Sequence, residues 1–358
     1  MIPVSTARRT QLVPLTEADL GELASFIATQ SGHDRESVEL HLRWFLLENP
    51  ARRPEDPLAY GLRSADELVG CILLSPQMFR FEANDILLMG SSSFYVDDHH
   101  RGQGGRIFLQ YCRLGRQYPL FGTSANAEAA TLWKAAGSQP LPYTDQEFLG
   151  IFNWRPLTEE FAHRKSCNNA VSRMAGGSIA NIAGWLRPLQ IDSDDVAKLT
   201  LLGSAEQVSD LHLPNRPVKL TALRDPAYLH WRYFSGHDAT AAVFAFRSRQ
   251  PDGNILVTVN CRTRGYRGQI RTLNVLDIYP EISTQEWLSV VAALIARYKT
   301  VVDAIVLRNL SPELQTIFSQ RNFQRRAFDA PIGWFLDKFN LLPKTEWYLV
   351  PADGDGLI

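Results

Sequence analysis

Phe94-Tyr95-Val96-Asp97-Asp98-His99-His100-Arg101-Gly102-Gln103-Gly104-Gly105-Arg106-Ile107-Phe108-Leu109-Gln110 joins an apolar, strand-like run to a helix-like run through a turn crowded with glycine. Glycines at 102, 104 and 105 allow positive φ and let a ligand approach where a Cβ would otherwise stand. The first N–H groups of the following helix point into the turn, and a helix start favours negative charge, so the natural guest is a phosphate or diphosphate. A Walker loop needs Lys-Ser/Thr after its last glycine, where this chain has Arg106-Ile107. A dinucleotide fingerprint needs G-x-G-x-x-G, and the run from Gly102 lacks the third glycine.

Working outward, 358 residues exceed what one core usually serves, so two domains are expected. A hydrophobic content of 45% with 21% charged residues describes a folded, soluble chain. The formal charge of −1 supplies no basic field for nucleic acid and no polybasic patch for a membrane. Apolar windows are broken well short of the roughly 18 residues a spanning helix needs, and Met1–Thr10 has no apolar run behind its arginines. Cys71, Cys112, Cys167 and Cys261 are scattered without CxxC spacing, which reads as reduced thiols in a cytoplasmic protein and gives no metal site.

Upstream of the turn, hydrophobic periodicity predicts a short strand at Val13–Leu15, helices from Leu20 and over Arg35–Leu47, and strands at Ala59–Arg63, Leu68–Leu74 and Ile86–Val96. Downstream it predicts a helix over Gly105–Arg116, a parallel strand at Leu120–Thr123, a helix over Asn126–Ala136, and closing strands of the first unit within Leu141–Ile151. The spacing Val96-x-x-x-x-Arg101-Gly-x-Gly104 in this order of elements resembles motif A of the GNAT acyl-CoA N-acyltransferase superfamily, V-x-x-x-x-[RQ]-x-x-G-x-[GA]. This chain departs from the motif at Arg106, where the family has Gly or Ala. A cation there is chemically reasonable beside a diphosphate. Asn126-x-x-x-x-x-Leu132-Trp133-x-x-x-Gly137 resembles the family's second signature, with Trp133 where a tyrosine acid often stands. An indole N–H cannot deliver a proton at neutral pH, so Trp133 is expected to pack.

The resemblance implies an α/β (α+β) fold of two GNAT-like domains in tandem, with mixed central sheets flanked by helices. It places one unit over 1–157 and a second over 217–358, joined by a mostly helical connection over 158–216 that is interrupted at Met174–Gly177. The second half repeats the element order: a helix from Asp225, strands at Ala241–Phe246, Ile255–Cys261 and Ile270–Ile278, a turn at Asp252-Gly253-Asn254, a helix over Thr284–Tyr298, a strand at Ala304–Leu307, a helix over Pro312–Gln320, and closing strands at Trp334–Leu336 and Trp347–Val350. Its strand-to-helix turn, Asp277-Ile278-Tyr279-Pro280-Glu281, has no glycine and one proline without an N–H, so this half is degenerate as a coenzyme site.

In such a protein acetyl-CoA or another acyl-CoA is the co-substrate, held by Tyr95, Val96, Arg101, Gly102, Gln103, Gly104, Gly105, Arg106 and Asn126. The amine must lose a proton to attack, and Ser91, Ser92, Ser93, Tyr95, Asp97, Asp98, His99 and His100 are the local side chains. Of these, Tyr95 and His99 are the catalytic candidates, Asp97 and Asp98 are expected to cap the turn, and the N–H of Tyr95 or Val96 would polarise the acyl carbonyl from a strand bulge. Trp231, Arg232 and Tyr233 are candidates for an acceptor pocket, or pack the two halves together. Arg262, Arg264, Arg267 and Arg271 read as a solvated basic hairpin. Asp225-Pro-x-Tyr228-Leu-x-Trp231-Arg232-Tyr233 and the ending Trp347-Tyr348-x-x-x-Ala352-Asp353-Gly354-Asp355 look like bacterial GNAT-type proteins of cell-surface polysaccharide synthesis. The expected activity is acyl transfer to an amine of a small molecule, an amino sugar being one acceptor. Alternatives are a Fem-like aminoacyl transferase and a non-catalytic acyl-CoA-binding regulator. The oligomeric state is left open.

Overall fold

The computed structural model describes residues 10–81, 84–165, 189–191, 198–209, 211, 220–247, 253–265, 268–338, 347–348 and 350–353. Of the expected helical connection, residues 166–188, with the Met174–Gly177 interruption, and 192–197 lie outside the described residues, as do Asp252, Arg267, Cys167, Gly354 and Asp355. Its described part includes a strand at Leu199–Leu202, which pairs with the strand Ala241–Arg247 and is a departure from the helical expectation.

The strands in chain order are β1 (Thr10–Leu15), β2 (Ala59–Ser64), β3 (Glu67–Phe81), β4 (Asn84–Val96), β5 (Leu120–Gly122), β6 (Gln139–Pro140), β7 (Gln146–Ile151), β8 (Leu199–Leu202), β9 (Thr221–Ala222), β10 (Ala241–Arg247), β11 (Asn254–Arg264), β12 (Ile270–Tyr279), β13 (Ala304–Arg308), β14 (Gln324–Ala327) and β15 (Trp334–Leu336). They form two mixed sheets flanked by helices. One runs β1-β2-β3-β4-β5-β15-β6 with β9 on β3, and the other runs β14-β7-β13-β12-β11-β10-β8. Each contains a parallel pair, β4 with β5 and β12 with β13. A parallel pair needs a crossover, and the helices Gly104–Arg113 and Thr284–Tyr298 supply the two.

The sheets exchange strands. β7 was expected to close the first unit, yet it pairs with β13 and β14 in the second sheet. In return β15 sits between β5 and β6 in the first sheet. The physical reason is edge satisfaction, because each sheet would otherwise present an unpaired strand next to its parallel pair. Of the expected closing segment after 340, Trp347 makes an isolated bridge to Leu220, and Leu349 lies outside the described residues.

The halves also meet at a seam with local two-fold character. The helix over Arg35–Leu42 ends in a widened π turn, Arg43–Leu47, and the helix Pro226–Leu229 ends in another, His230–Phe234. Trp44 Nε1 donates to the Trp231 carbonyl at 2.7 Å and Trp231 Nε1 donates to the Trp44 carbonyl at 2.8 Å. One buried cluster draws on both halves, with Leu23 and Phe45 packed with Tyr228 and Leu256. His41 and His237 flank it, their ring nitrogens 2.8 Å apart. Burial, with His237 beside it, pushes the His41 imidazole down to about 4, so that ring is neutral at neutral pH.

Candidate functional site

β4 decides the shape of the site. Its pairing with β5 stops at Ser91 and Gly122, and beyond that point the two parallel strands diverge. The register against β3 jumps from Cys71–Tyr95 to Leu73–Ser92, so Ser93 and Phe94 together face Ile72 in a bulge, with Ser93 at φ 46°. The expected bulge is thus present just before Tyr95. The Tyr111 hydroxyl bridges the carbonyls of Met89 and Phe121, at 2.8 and 3.0 Å, and ties β4 to β5 at the base of the divergence. Above it opens a cleft of about 1000 Å³.

At the end of β4 the turn over Asp98–Gln103 runs straight into the helix Gly104–Arg113. Gly102, Gly104 and Gly105 do not use positive φ, contrary to expectation, because the turn is a 3-10 helix that continues as α-helix. Their value is space. A Cβ at Gly105 would meet nothing within 4 Å, while one at Gly104 would touch Phe94 Cζ and Val96 Cγ2 at 3.4 Å. Gly104 therefore lets the helix close on β4, and Gly105 leaves the cleft wall bare.

Tyr95, Val96, Arg101, Gly104, Gly105 and Asn126 line this cleft. Asn126 also caps its helix, accepting from the Ala129 N–H at 2.8 Å. Gln103 and Arg106 are not brought to it. Arg106 reaches back to the Thr10 hydroxyl at 2.5 Å and to Gln103 at 2.9 Å, so it clasps β1 and stands outside the cleft's lining. Gly102 and His99 also lie outside the lining. His99 is exposed and gives its N–H to Asp97 at 2.9 Å, which lowers the Asp97 pKa and makes Asp97 the cap of the turn. Asp98 pairs with Arg101 at 2.8 Å across an exposed surface.

Trp133 is buried, edge-on to Phe108 and Tyr111, and lies against Gly122 so closely that a Cβ there would stand 2.9 Å from its ring. It packs, as expected. Trp231, Arg232 and Tyr233 are seam residues with 6%, 3% and 7% exposure, and Trp231 and Arg232 border a void of about 10 Å³ beside Ser91, Ser92 and Thr123 of the cleft's lining. The structure does not bring them to the cleft: the Tyr233 hydroxyl holds Asp277 at 3.0 Å, and Arg232 lies over the rings of Trp44 and Trp231.

The second half keeps the geometry and fills it. β12 carries its own irregularity at Leu276, where Thr258–Asp277 pairing shifts to Val259–Val275, and it diverges from β13 after Asn274 and Val306. The C-terminal segment occupies that divergence. Tyr348 donates its hydroxyl to the Ile278 carbonyl, and Val350 and Pro351 border a residual void of about 10 Å³. Asp277 is locked by the buried Arg224 at 2.6 Å.

The residues missed from sequence form the opposite wall of the large cleft: Arg262, Arg264, Asn274 and Arg308. Arg262 and Arg264 were read as a solvated hairpin, but they are two apart on β11 and so share a face. That alternation was the available signal. Arg271 does stay half exposed, 3.6 Å from Asp303. Among the described residues no group of three or more His, Cys, Asp or Glu is arranged to hold a metal ion, and no described helix is long and apolar enough to cross a membrane.

A bulged strand, a diverging parallel partner and a helix start at the strand's end make a fold that this chain shares with solved acyltransferase structures. A conserved protein of Enterococcus faecalis described as a probable N-acyltransferase superposes at TM-score 0.56 with 11% identity, over 91% of this chain and 72% of that one. A GCN5-related N-acetyltransferase from Anabaena variabilis gives 0.54 with 13% identity, over 91% and 72%. The N-myristoyltransferase of Saccharomyces cerevisiae, solved with myristoyl-CoA and inhibitors, gives 0.55 with 11% identity, over 93% and 80%. No protein-family model and no curated protein matches the sequence.

Proposed function

We propose that the chain is an acyl-CoA-dependent N-acyltransferase with one coenzyme site, in the first half. The observation that carries this reading is the open divergence after Ser91 and Gly122, with a bare helix start at its end. The N-terminal end of the helical run that follows β4 faces the diphosphate, which is held by the helix dipole and Arg101, while the Gly104 N–H is itself taken by the Arg101 carbonyl. The thioester lies along the bulge, and an N–H at Tyr95 or Val96 faces the oxygen that becomes negative. The amine nitrogen attacks the carbonyl carbon, the C–S bond breaks, and the thiolate leaves. The amine proton passes to water, with the Tyr95 hydroxyl, which lines the cleft from the bulged strand, as a relay that gives its own proton to water as it takes the amine's. A Fem-like aminoacyl donor has no use for this helix start, and that disfavours the Fem-like reading. The amino-sugar assignment rests on residues 225–233, which pack at the seam, so the fold lends it no support beyond the sequence likeness.

Calorimetric titration with acetyl-CoA is expected to give one site per chain, because the second divergence is filled by Tyr348, Val350 and Pro351. A stoichiometry of two contradicts the reading. Trp133→Phe is expected to keep most of the turnover, since neither ring delivers a proton. It should lower stability by about 1–2 kcal/mol through the partial cavity it leaves. A hundredfold loss in kcat with unchanged coenzyme affinity would instead give Trp133 a positioning role at the thioester.

A further inference from the structure

The wall facing the bulged strand has a composition the coenzyme site does not explain. Glu147, fully buried on the exchanged strand β7, holds Arg308 at 2.8 Å, Arg326 at 3.1 Å and Arg264 at 3.6 Å. Behind Arg264 a polar chain continues: Arg264 donates to Asn274 at 2.9 Å, Asn274 to Asn260 at 3.0 Å, and Asn260 to Asp238 at 3.0 Å, where Arg262 also pairs at 3.0 Å. These bonds fix the guanidiniums in place. Three guanidiniums thus meet the single carboxylate of Glu147, and Arg264 is desolvated enough for burial to lower its pKa. Arg262, Arg264 and Arg308 line the cleft, whereas Glu147 and Asp238 stand behind it. Charged groups held at partly buried positions with more positive than negative charge are stabilised by an added anion, and a guanidinium fork matches a planar carboxylate.

We propose that this wall is an anion subsite of the acyl acceptor, so that the substrate is an amine that also carries a carboxylate. Arg264 and Arg308 take the carboxylate and Arg262 adds to the field, which turns the amino group toward Tyr95 and the bulge of β4. The inference rests on the acyl-transfer reading for the amine, but the anion subsite is independent of it. The strand exchange then has a chemical consequence, since β7 carries the carboxylate that gathers Arg264, Arg308 and Arg326.

The test uses the full chain and a panel of amino acids and short peptides, each supplied as the free acid and as its carboxamide. Thiol release from acetyl-CoA is followed, together with calorimetric binding of each compound without coenzyme. The expected result is a preference for the acid over its amide of about a hundredfold in kcat/KM, carried in KM. Arg264→Gln and Arg308→Gln should reduce that ratio at least tenfold without changing acetyl-CoA affinity, and Arg308→Lys should retain part of it. An acid-to-amide ratio near one for every wild-type pair overturns the proposal. So does a loss of acetyl-CoA affinity in the arginine variants, which would assign the wall to a coenzyme phosphate. If acetyl-CoA itself does not bind, the acyl-transfer reading fails, and calorimetry still decides the subsite: acids that bind where their amides do not support it, and acids that bind no better overturn it.

Discussion

Gly105→Asp is expected to weaken acetyl-CoA binding by at least about a hundredfold, ~2.7 kcal/mol, while leaving the thermal midpoint unchanged or higher. The two effects have opposite signs for one physical reason. Gly105 lies in the first turn of the helix Gly104–Arg113, where a carboxylate interacts favourably with the helix dipole by about 0.3–1 kcal/mol and a glycine weakens the helix. Its Cβ enters open space, so nothing in the fold resists the change. The same carboxylate occupies the cleft wall from which a diphosphate would be held, and there it repels the ligand and competes for its N–H donors. A folding defect cannot produce tighter folding with lost binding. Gly104→Asp is the comparison: its side chain would enter the contact with Phe94 and Val96, so stability and affinity should fall together. Calorimetry with thermal unfolding on both variants decides the matter, and wild-type affinity in Gly105→Asp would remove the cradle.

Much of this site was legible because its determinants are local. A strand, a glycine turn and a helix start are neighbours in sequence, and their spacing alone indicates an anion cradle. The cap at Asp97 was equally readable, since it bonds to an N–H two residues on, whereas Asn126, read only as a coenzyme contact, also caps its helix. Other features depend on what the chain meets in space. β3 continues past Pro76 to Phe81, although a proline reads as a breaker. The partner β2 ends opposite Leu73, so Pro76 faces no donor-demanding neighbour on that side. Arg106 resembles a phosphate ligand in any local window, and only the position of Thr10 on β1 shows that it points elsewhere. The arginine wall gathers Arg264 and Arg308 around Glu147, which is 161 residues from Arg308. No short-range pattern encodes that meeting. The strand exchange was hidden for a related reason, because the alternation of Gln146–Ile151 satisfies either sheet equally well.

The exchange makes the last prediction: a fragment of residues 1–157 will show no cooperative unfolding transition, and co-expression with 158–358 will restore one. Cut at 157, the first sheet loses β15 from between β5 and β6. With it go Trp334 and Leu336, both buried against the cluster that contains Tyr111 and Trp133. β7 is left in the fragment without β13 and β14, exposing Phe148, which is 1% accessible in the intact chain. Each such side chain contributes roughly 1.5–3 kcal/mol on burial, and a domain's whole stability is about 5–15 kcal/mol, so three of them and two strand edges are a large share of it. The Trp44–Trp231 seam is lost as well, and with it the burial of Phe45 against the second half. β5, paired with β4 on one edge only, and an orphaned β7 are also templates for aggregation. Supplied in trans, the second fragment returns β15 to the first sheet and takes β7 into its own, and neither pairing requires the covalent connection. Circular dichroism melts and size-exclusion chromatography of the single and co-expressed fragments provide the measurement. A soluble 1–157 fragment with a sharp transition of its own would show that the exchanged strands decorate two independent domains instead of interlocking them.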